Sequence, residues 1–151
     1  MIIYRLAIES YKDDLSGTGS KMFGGRWNVA GLAAIYTTEN ISLAVLEILV
    51  NADKNSIPPS YFLLKLQVPD TLPLKVITHA GLKDKWYTDF EYAQFIGSNF
   101  LASGKEAILK MPSAIVKEEF NFLLNPVHVD FKKISIKESI PFDLDVRLLK
   151  K

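Results

Sequence analysis

A carboxylate in apolar company is the first feature of this sequence able to do chemistry. Glu47 stands within Leu43-Ala44-Val45-Leu46-Glu47-Ile48-Leu49-Val50, where nearly every face of a helix would be apolar. Its charge is therefore expected to be at least partly stripped of water, in a low local dielectric where a fixed charge acts strongly. The opposing reading places Glu47 at the helix edge, pointing outward. A second feature is Gly24-Gly25-Arg26-Trp27-Asn28. Its two glycines let backbone approach a ligand closely, and Arg26 offers forked donors that match phosphate. Paired glycines ahead of a strand also make ordinary turns. The third is Met111-Pro112-Ser113-Ala114 with Glu119-Phe120-Asn121 and Asn125-Pro126, small polar groups around prolines that fix the chain direction. Turn chemistry alone would account for it equally well.

Other combinations fail on their spacing. Gly17-Thr18-Gly19-Ser20-Lys21-Met22 lacks both the Lys-Ser/Thr ending of a phosphate loop and the third glycine of a dinucleotide fingerprint. His79 and His128 stand apart from any metal-ligand spacing, so no metal site is expected. Serines are plentiful, but the chain holds no Gly-x-Ser-x-Gly elbow for a nucleophile.

The elements that must position these residues read as a mixed set. Ile2 to Ile8 predicts a first strand, and Ser10 to Gly25 a long functional loop without apolar period. Ala33 to Tyr36 predicts a short strand, after which Thr37 or Thr38 caps a helix running to about Val50 with Glu39 in its first turn. Tyr61 to Val68 is a strand bounded by the turns of Pro58-Pro59 and Pro69 to Pro73. Asp89 to Leu101 is a second helix, closing near Gly104. Ala107 to Met111, Ala114 to Val116, Val129 to Ile136 and Phe142 to Leu148 read as further strands, with Asn121 to Pro126 a turn-rich connection. Strand and helix do not alternate regularly. The expected fold class is therefore α+β, one domain over residues 1–151 with mixed, largely antiparallel sheets.

Bulk properties narrow the function classes. With 48% apolar and 23% charged residues among 151, the chain resembles an ordinary globular domain with a sizeable core. The absence of cysteine excludes disulfides, thiolate metal sites and cysteine nucleophiles, and makes the cytoplasm the default location. The opening MIIYRLAIESYKDD has only a short apolar run broken by Arg5 and Glu9, unlike a signal peptide, and no membrane association is expected. Eighteen basic and 17 acidic residues are interleaved, a poor basis for attracting nucleic acid, and the Lys132-Lys133 pair reads as a solvated face.

Taken in order, the features are specific. Arg5, then Gly24-Gly25-Arg26-Trp27-Asn28, then Tyr36-Thr37 leading into Leu43-Ala44-x-x-Glu47, then Pro112-Ser113-x-x-Val116, Asn121 and Asn125-Pro126 closely resemble the RES-domain family, from Tyr4 to about Arg147. That family is named for an arginine, a glutamate and a serine, matched here by Arg26, Glu47 and Ser113. The resemblance implies a minimal family member with a fold similar to ADP-ribosyltransferases, acting as the toxin of a type II toxin-antitoxin pair. It also implies NAD as substrate, with no prosthetic group. The implied reaction is phosphorolysis to nicotinamide and ADP-ribose-1″-phosphate, with inorganic phosphate as co-substrate. The alternatives are ADP-ribosylation of a protein, or an inactive module that only binds an antitoxin. The implied partner is an Xre-type helix-turn-helix antitoxin, to which any DNA contact would belong, in a larger complex that could contain a homodimer.

On that resemblance the residues take roles. Glu47 would stabilise the oxocarbenium-like charge that develops as the nicotinamide bond breaks, and could hold a ribose hydroxyl. Arg5 and Arg26 would grip the pyrophosphate or place an attacking phosphate, with Asn28 beside them. Tyr36 would offer its ring to nicotinamide or its hydroxyl to ribose. Ser113 would donate a positioning hydrogen bond rather than attack. Trp27 is assigned to core packing, and Asn121 and Asn125 to turns.

Overall fold

In the computed structural model, which describes residues 1–53, 55–58 and 60–150, the chain builds one seven-stranded sheet with helices against it. In chain order the elements are β1 (Ile2–Ala7), α1 (Thr18–Phe23), β2 (Ile35–Thr38), α2 (Ile41–Asn51), β3 (Ser60–Gln67), β4 (Leu74–Val76), α3 (Phe90–Ser103), β5 (Ile108–Pro112), β6 (Phe120–Leu124) and β7 (Ser135–Asp143). The sheet order is β4-β5-β6-β2-β1-β3-β7, and only β4 and β5 run parallel among the described residues. The class is thus α+β with a mixed, largely antiparallel sheet, as expected.

Residues of opposite parity on β5 and β6 enter different clusters, as strand alternation requires. Ile108, Phe122 and Leu124 join Ile3, Ile35, Leu66 and Val68. Leu109, Met111 and Leu123 instead pack under α3 with Trp27, Trp86 and Phe100. On the other half of the sheet, Val45, Ile48 and Leu49 of α2 close over Leu6, Tyr61 and Phe142. The halves meet where β1 lies beside β2, and these strands share a single register position, Tyr4 opposite Thr38. By contrast β1 and β3 share six. The sheet therefore parts along the β1–β2 seam, and a cavity opens there.

Several expectations are corrected. Thr37 and Thr38 belong to β2 rather than capping α2, because their hydroxyls donate to the carbonyls of Phe122 and Asn40, at 3.1 and 2.7 Å. Asn40 takes the cap position, and Glu39 accepts a 2.8 Å hydrogen bond from the Phe120 amide instead of joining the helix. The Ser10 to Gly25 loop contains α1. Ala114 to Val116 is a turn closed by Ser113, not a strand. Asn121 to Pro126 is mostly strand β6, and the last two predicted strands resolve into β7 flanked by short 3₁₀ turns at Phe131–Lys133 and Val146–Leu149. The Asp89-to-Gly104 helix stands: the Asp89 carboxylate accepts from the Tyr92 amide at 3.0 Å, and Gly104 ends the helix in the left-handed region. Pro59, half of one predicted turn, lies outside the described residues.

Candidate active site

The cavity at the seam holds about 360 Å³, within the roughly 300–1,000 Å³ typical of small-molecule sites. Tyr4, Arg5 and Leu6 of β1, Tyr36 to Thr38 of β2, Glu47, Ile48 and Asn51 of α2, and Asn121 of β6 contribute to its wall. Adjacent residues of one strand normally face opposite sides of a sheet; both kinds reach this cavity because the strands part there.

Glu47 is half-buried on the cavity side of α2, and its carboxylate is held at both ends. Oε1 accepts from Asn121 Nδ2 at 2.6 Å and, more weakly, from Ser113 Oγ at 3.5 Å; Oε2 accepts from Asn51 Nδ2 at 3.1 Å. Asn51 lies one helical turn beyond Glu47, so both face the same way, and its Nδ2 also donates to the Glu47 carbonyl at 2.9 Å. Three neutral donors converge on one carboxylate and fix its rotamer. The outward orientation of Glu47 does not occur.

Arg5 reaches the cavity from β1 and donates to the Asp14 carbonyl at 2.9 Å. Burial pulls its pKa below the ordinary arginine value, partly offset by the Asp14 carboxylate. An arginine nevertheless stays protonated at neutral pH, so a cation lines the same wall as the Glu47 anion.

The Gly24-Gly25-Arg26-Trp27-Asn28 segment forms a tight bridge closed between Gly25 and Asn28. Gly24 takes a positive φ of 72°, and Gly25 is held by packing. A Cβ on Gly25 would lie 2.6 Å from the Tyr36 hydroxyl oxygen. That hydroxyl donates to Asn28 Oδ1 at 2.7 Å and accepts from the Trp27 amide at 2.9 Å. Asn28, 0% exposed, donates in turn to the carbonyls of Ser20, Val29 and Leu32. All its polar atoms are engaged, so Asn28 shapes the wall from beneath and does not line it. Burial pushes the Tyr36 pKa above the ordinary tyrosine value, and its ring, not its committed hydroxyl, is what it can present to the cavity.

Arg26 is not on the cavity wall. It donates to the Tyr87 carbonyl at 3.2 Å and lies 5.6 Å from the centroid of the Phe90 ring. The charges of Arg26 and Glu47 both act on the Tyr36 hydroxyl, with opposite sign. Ser113 is 0% exposed; its hydroxyl accepts from the Ile115 and Val116 amides at 3.0 and 3.2 Å while directed at Glu47. Trp27 packs in the core, 5.5 Å from Trp86 between ring centroids. Asn125 bridges the Leu101 carbonyl and the Val127 amide, a structural role.

Sequence reasoning missed Asn51 and Gln94, and it named Asn121 but assigned it to a turn. Asn51 and Asn121 hold the carboxylate. Gln94 of α3 donates to the carbonyls of Gly25 and Asn28 at 3.0 and 3.1 Å, fixing the bridge that carries Arg26. The one signal available was the i, i+4 spacing of Glu47 and Asn51.

The RES domain family model matches residues 2–145. The chain belongs to the RES-domain family. A relative from Sphingobium sp. (strain YBL2), named Prs ADP-ribosylating toxin, is 37% identical over 92% of this chain and 89% of its own. A protein from Photorhabdus laumondii subsp. laumondii named Toxin Res is 35% identical over 99% of this chain and 98% of its own. The crystal structure of the M. tuberculosis MbcT-MbcA toxin-antitoxin complex contains a chain of the same fold, with a TM-score of 0.76 at 23% identity, covering 98% of this chain and 86% of that one. In the present RES domain Glu47 and Ser113 meet directly, and Arg26 lies near enough for its charge to act on Tyr36. Among the described residues no helix is long and apolar enough to cross a membrane, and no cluster of acidic or imidazole side chains could hold a metal ion.

Proposed function

We propose that this RES domain is the toxin of a toxin-antitoxin pair and cleaves the nicotinamide-ribose bond of NAD in the cavity at the β1–β2 seam. The observation that carries the reading is an ionisable carboxylate, Glu47, gripped at both oxygens by amides on a wall it shares with the Arg5 cation. As the glycosidic bond breaks, its electron pair leaves with nicotinamide and positive charge spreads over C1′ and the ring oxygen of the ribose. A preorganised anion stabilises that charge without reorienting during the reaction. Arg5 binds a phosphate of the dinucleotide, and Arg26, off the cavity wall, meets the pyrophosphate outside it. The Tyr36 ring lies against the nicotinamide side, with Asn28 holding it, and Ser113 keeps Glu47 aimed.

Inorganic phosphate is the acceptor in this reading, giving nicotinamide and ADP-ribose-1″-phosphate with no prosthetic group. A second reading, transfer of ADP-ribose to a protein, has the name of the Sphingobium relative in its favour and uses the same residues. The partner is an Xre-type helix-turn-helix antitoxin in the cytoplasm, carrying any DNA contact, with the toxin as a homodimer in the joint complex. A protein of the same fold crystallised as a toxin-antitoxin complex is consistent with such a partner.

The test is purified protein with NAD labelled in the adenosine half, with and without inorganic phosphate, following nicotinamide, ribosyl product and label on protein. Phosphate-dependent ADP-ribose-1″-phosphate is expected. Protein-bound label would select the second reading, and intact NAD under all conditions would end both.

A further inference from the structure

We infer that Asn121 reads a hydroxyl of the nicotinamide-side ribose through its amide oxygen while its amide nitrogen fixes Glu47. The inference rests on the NAD reading above. Asn121 sits on β6 opposite Thr38 and Met111, is 9% exposed and lines the cavity. Its orientation is fixed by chemistry: an ionised carboxylate only accepts, so the amide end 2.6 Å from Glu47 Oε1 must be the nitrogen. The oxygen is thereby turned elsewhere, and Oδ1 meets no donor among the described residues. A buried acceptor left unpaired is uncommon in a native fold and calls for a reason.

The other buried amides show how unusual this is. Asn28 uses its oxygen on the Tyr36 hydroxyl and its nitrogen on three carbonyls. Asn125 is paired at both ends. The hydroxyl of Thr38, opposite Asn121 in register, is already committed to the Asn40 carbonyl. The acceptor at Asn121 is thus unpaired in a residue of the cavity wall, and because the oxygen itself is closed off, a donor entering the cavity reaches it only as the side chains over it yield. Because the two ends of an amide are one covalent group apart, such a donor lies close to the Glu47 carboxylate. In a substrate whose C1′ faces Glu47, the hydroxyls of that same ribose meet this condition, and those of the remote adenosine do not.

The experiment compares kcat/KM for NAD with that for analogues lacking the 2′ or the 3′ hydroxyl of the nicotinamide ribose, in wild type and in Asn121→Leu and Asn121→Asp. A site that hydrogen-bonds a hydroxyl rejects the analogue lacking it, so wild type should prefer NAD over one analogue by about tenfold or more. Asn121→Leu, similar in size but without the acceptor, should lose most of that preference. Asn121→Asp keeps an acceptor oxygen and should keep the preference, while its second carboxylate beside Glu47 moves the acid limb of the pH–rate profile upward. A merely structural asparagine would leave the preference between NAD and the analogues unmoved in Asn121→Leu. Equal rates for NAD and both analogues in wild type, a full preference surviving in folded Asn121→Leu, or its loss in folded Asn121→Asp would each overturn the inference. Uncleaved NAD in wild type would instead sink the reaction of the preceding subsection, and this inference with it.

Discussion

A single hydroxyl shows how closely the wall of the site is tied to the stability of the chain. Tyr36 links the Trp27 amide to Asn28, and removing its oxygen leaves a buried N–H and a buried amide oxygen without partners. Tyr36→Phe is therefore expected to lower unfolding stability by on the order of 1–3 kcal/mol, measurable by urea denaturation. The same residue sets an alkaline limit. Burial raises its folded pKa above the ordinary 10.0, so the folded form holds the proton more tightly than the unfolded chain does. The associated stability is fully present below about pH 10, where both forms are protonated, and is lost as pH rises further. Tyr61 is shifted the same way by burial, so Tyr36→Phe should flatten the alkaline decline above about pH 10 only in part. Ser113→Ala removes the acceptor for two amides and one donor to Glu47. Both turnover and unfolding stability should fall in that variant, as enzyme assay and denaturant titration would show.

At the level of elements, legibility followed the length and periodicity of each segment. α3 was readable to its caps because Asp89 and Gly104 carry local end signals. α2 was readable as a helix, but its start was not, since Thr37 and Thr38 give the same local signal for a cap as for a strand whose hydroxyls bond backbone. β6 was misread for a functional reason. Asn121 interrupts an apolar run because it faces Glu47, and a lone polar residue among Phe120, Phe122, Leu123 and Leu124 looks like the edge of a turn. Of the site, Glu47 and Ser113 were legible and do meet, whereas Asn51 and Gln94 act through contacts that no local pattern announces. The packing of α3 on the Arg26 bridge gives the element-scale prediction. A Cβ on Gly97 would fall 1.9 Å from the Trp27 carbonyl oxygen, which neither backbone can accommodate in place. Gly97→Ala should force α3 away from the bridge and cost several kcal/mol, more than the typical ~1 kcal/mol of a point substitution. A melting temperature within two or three degrees of wild type, at roughly 2–4 °C per kcal/mol for a chain of this size, would contradict that packing.

Across the whole molecule the decisive feature is where the sheet parts. Strands that pair along their length leave no room for a ligand, and here β1 and β2 share one register position between two well-paired halves. Each half carries its own helix, and the carboxylate of one faces the polar strand end of the other, with Glu47 on α2 and Asn121 on β6. The resemblance of the chain to RES domains rests on short motifs scattered from Arg5 to Asn125, and the seam is what brings Arg5, Glu47, Ser113 and Asn121 together from four separate segments. The central claim is that this seam makes Glu47 a catalytic anion for NAD. It is tested most directly by measuring nicotinamide release from NAD with wild type and Glu47→Gln side by side. The account predicts release by the wild type and a loss of at least about a hundredfold in the variant, with the two proteins melting alike. Equal release by both would contradict it.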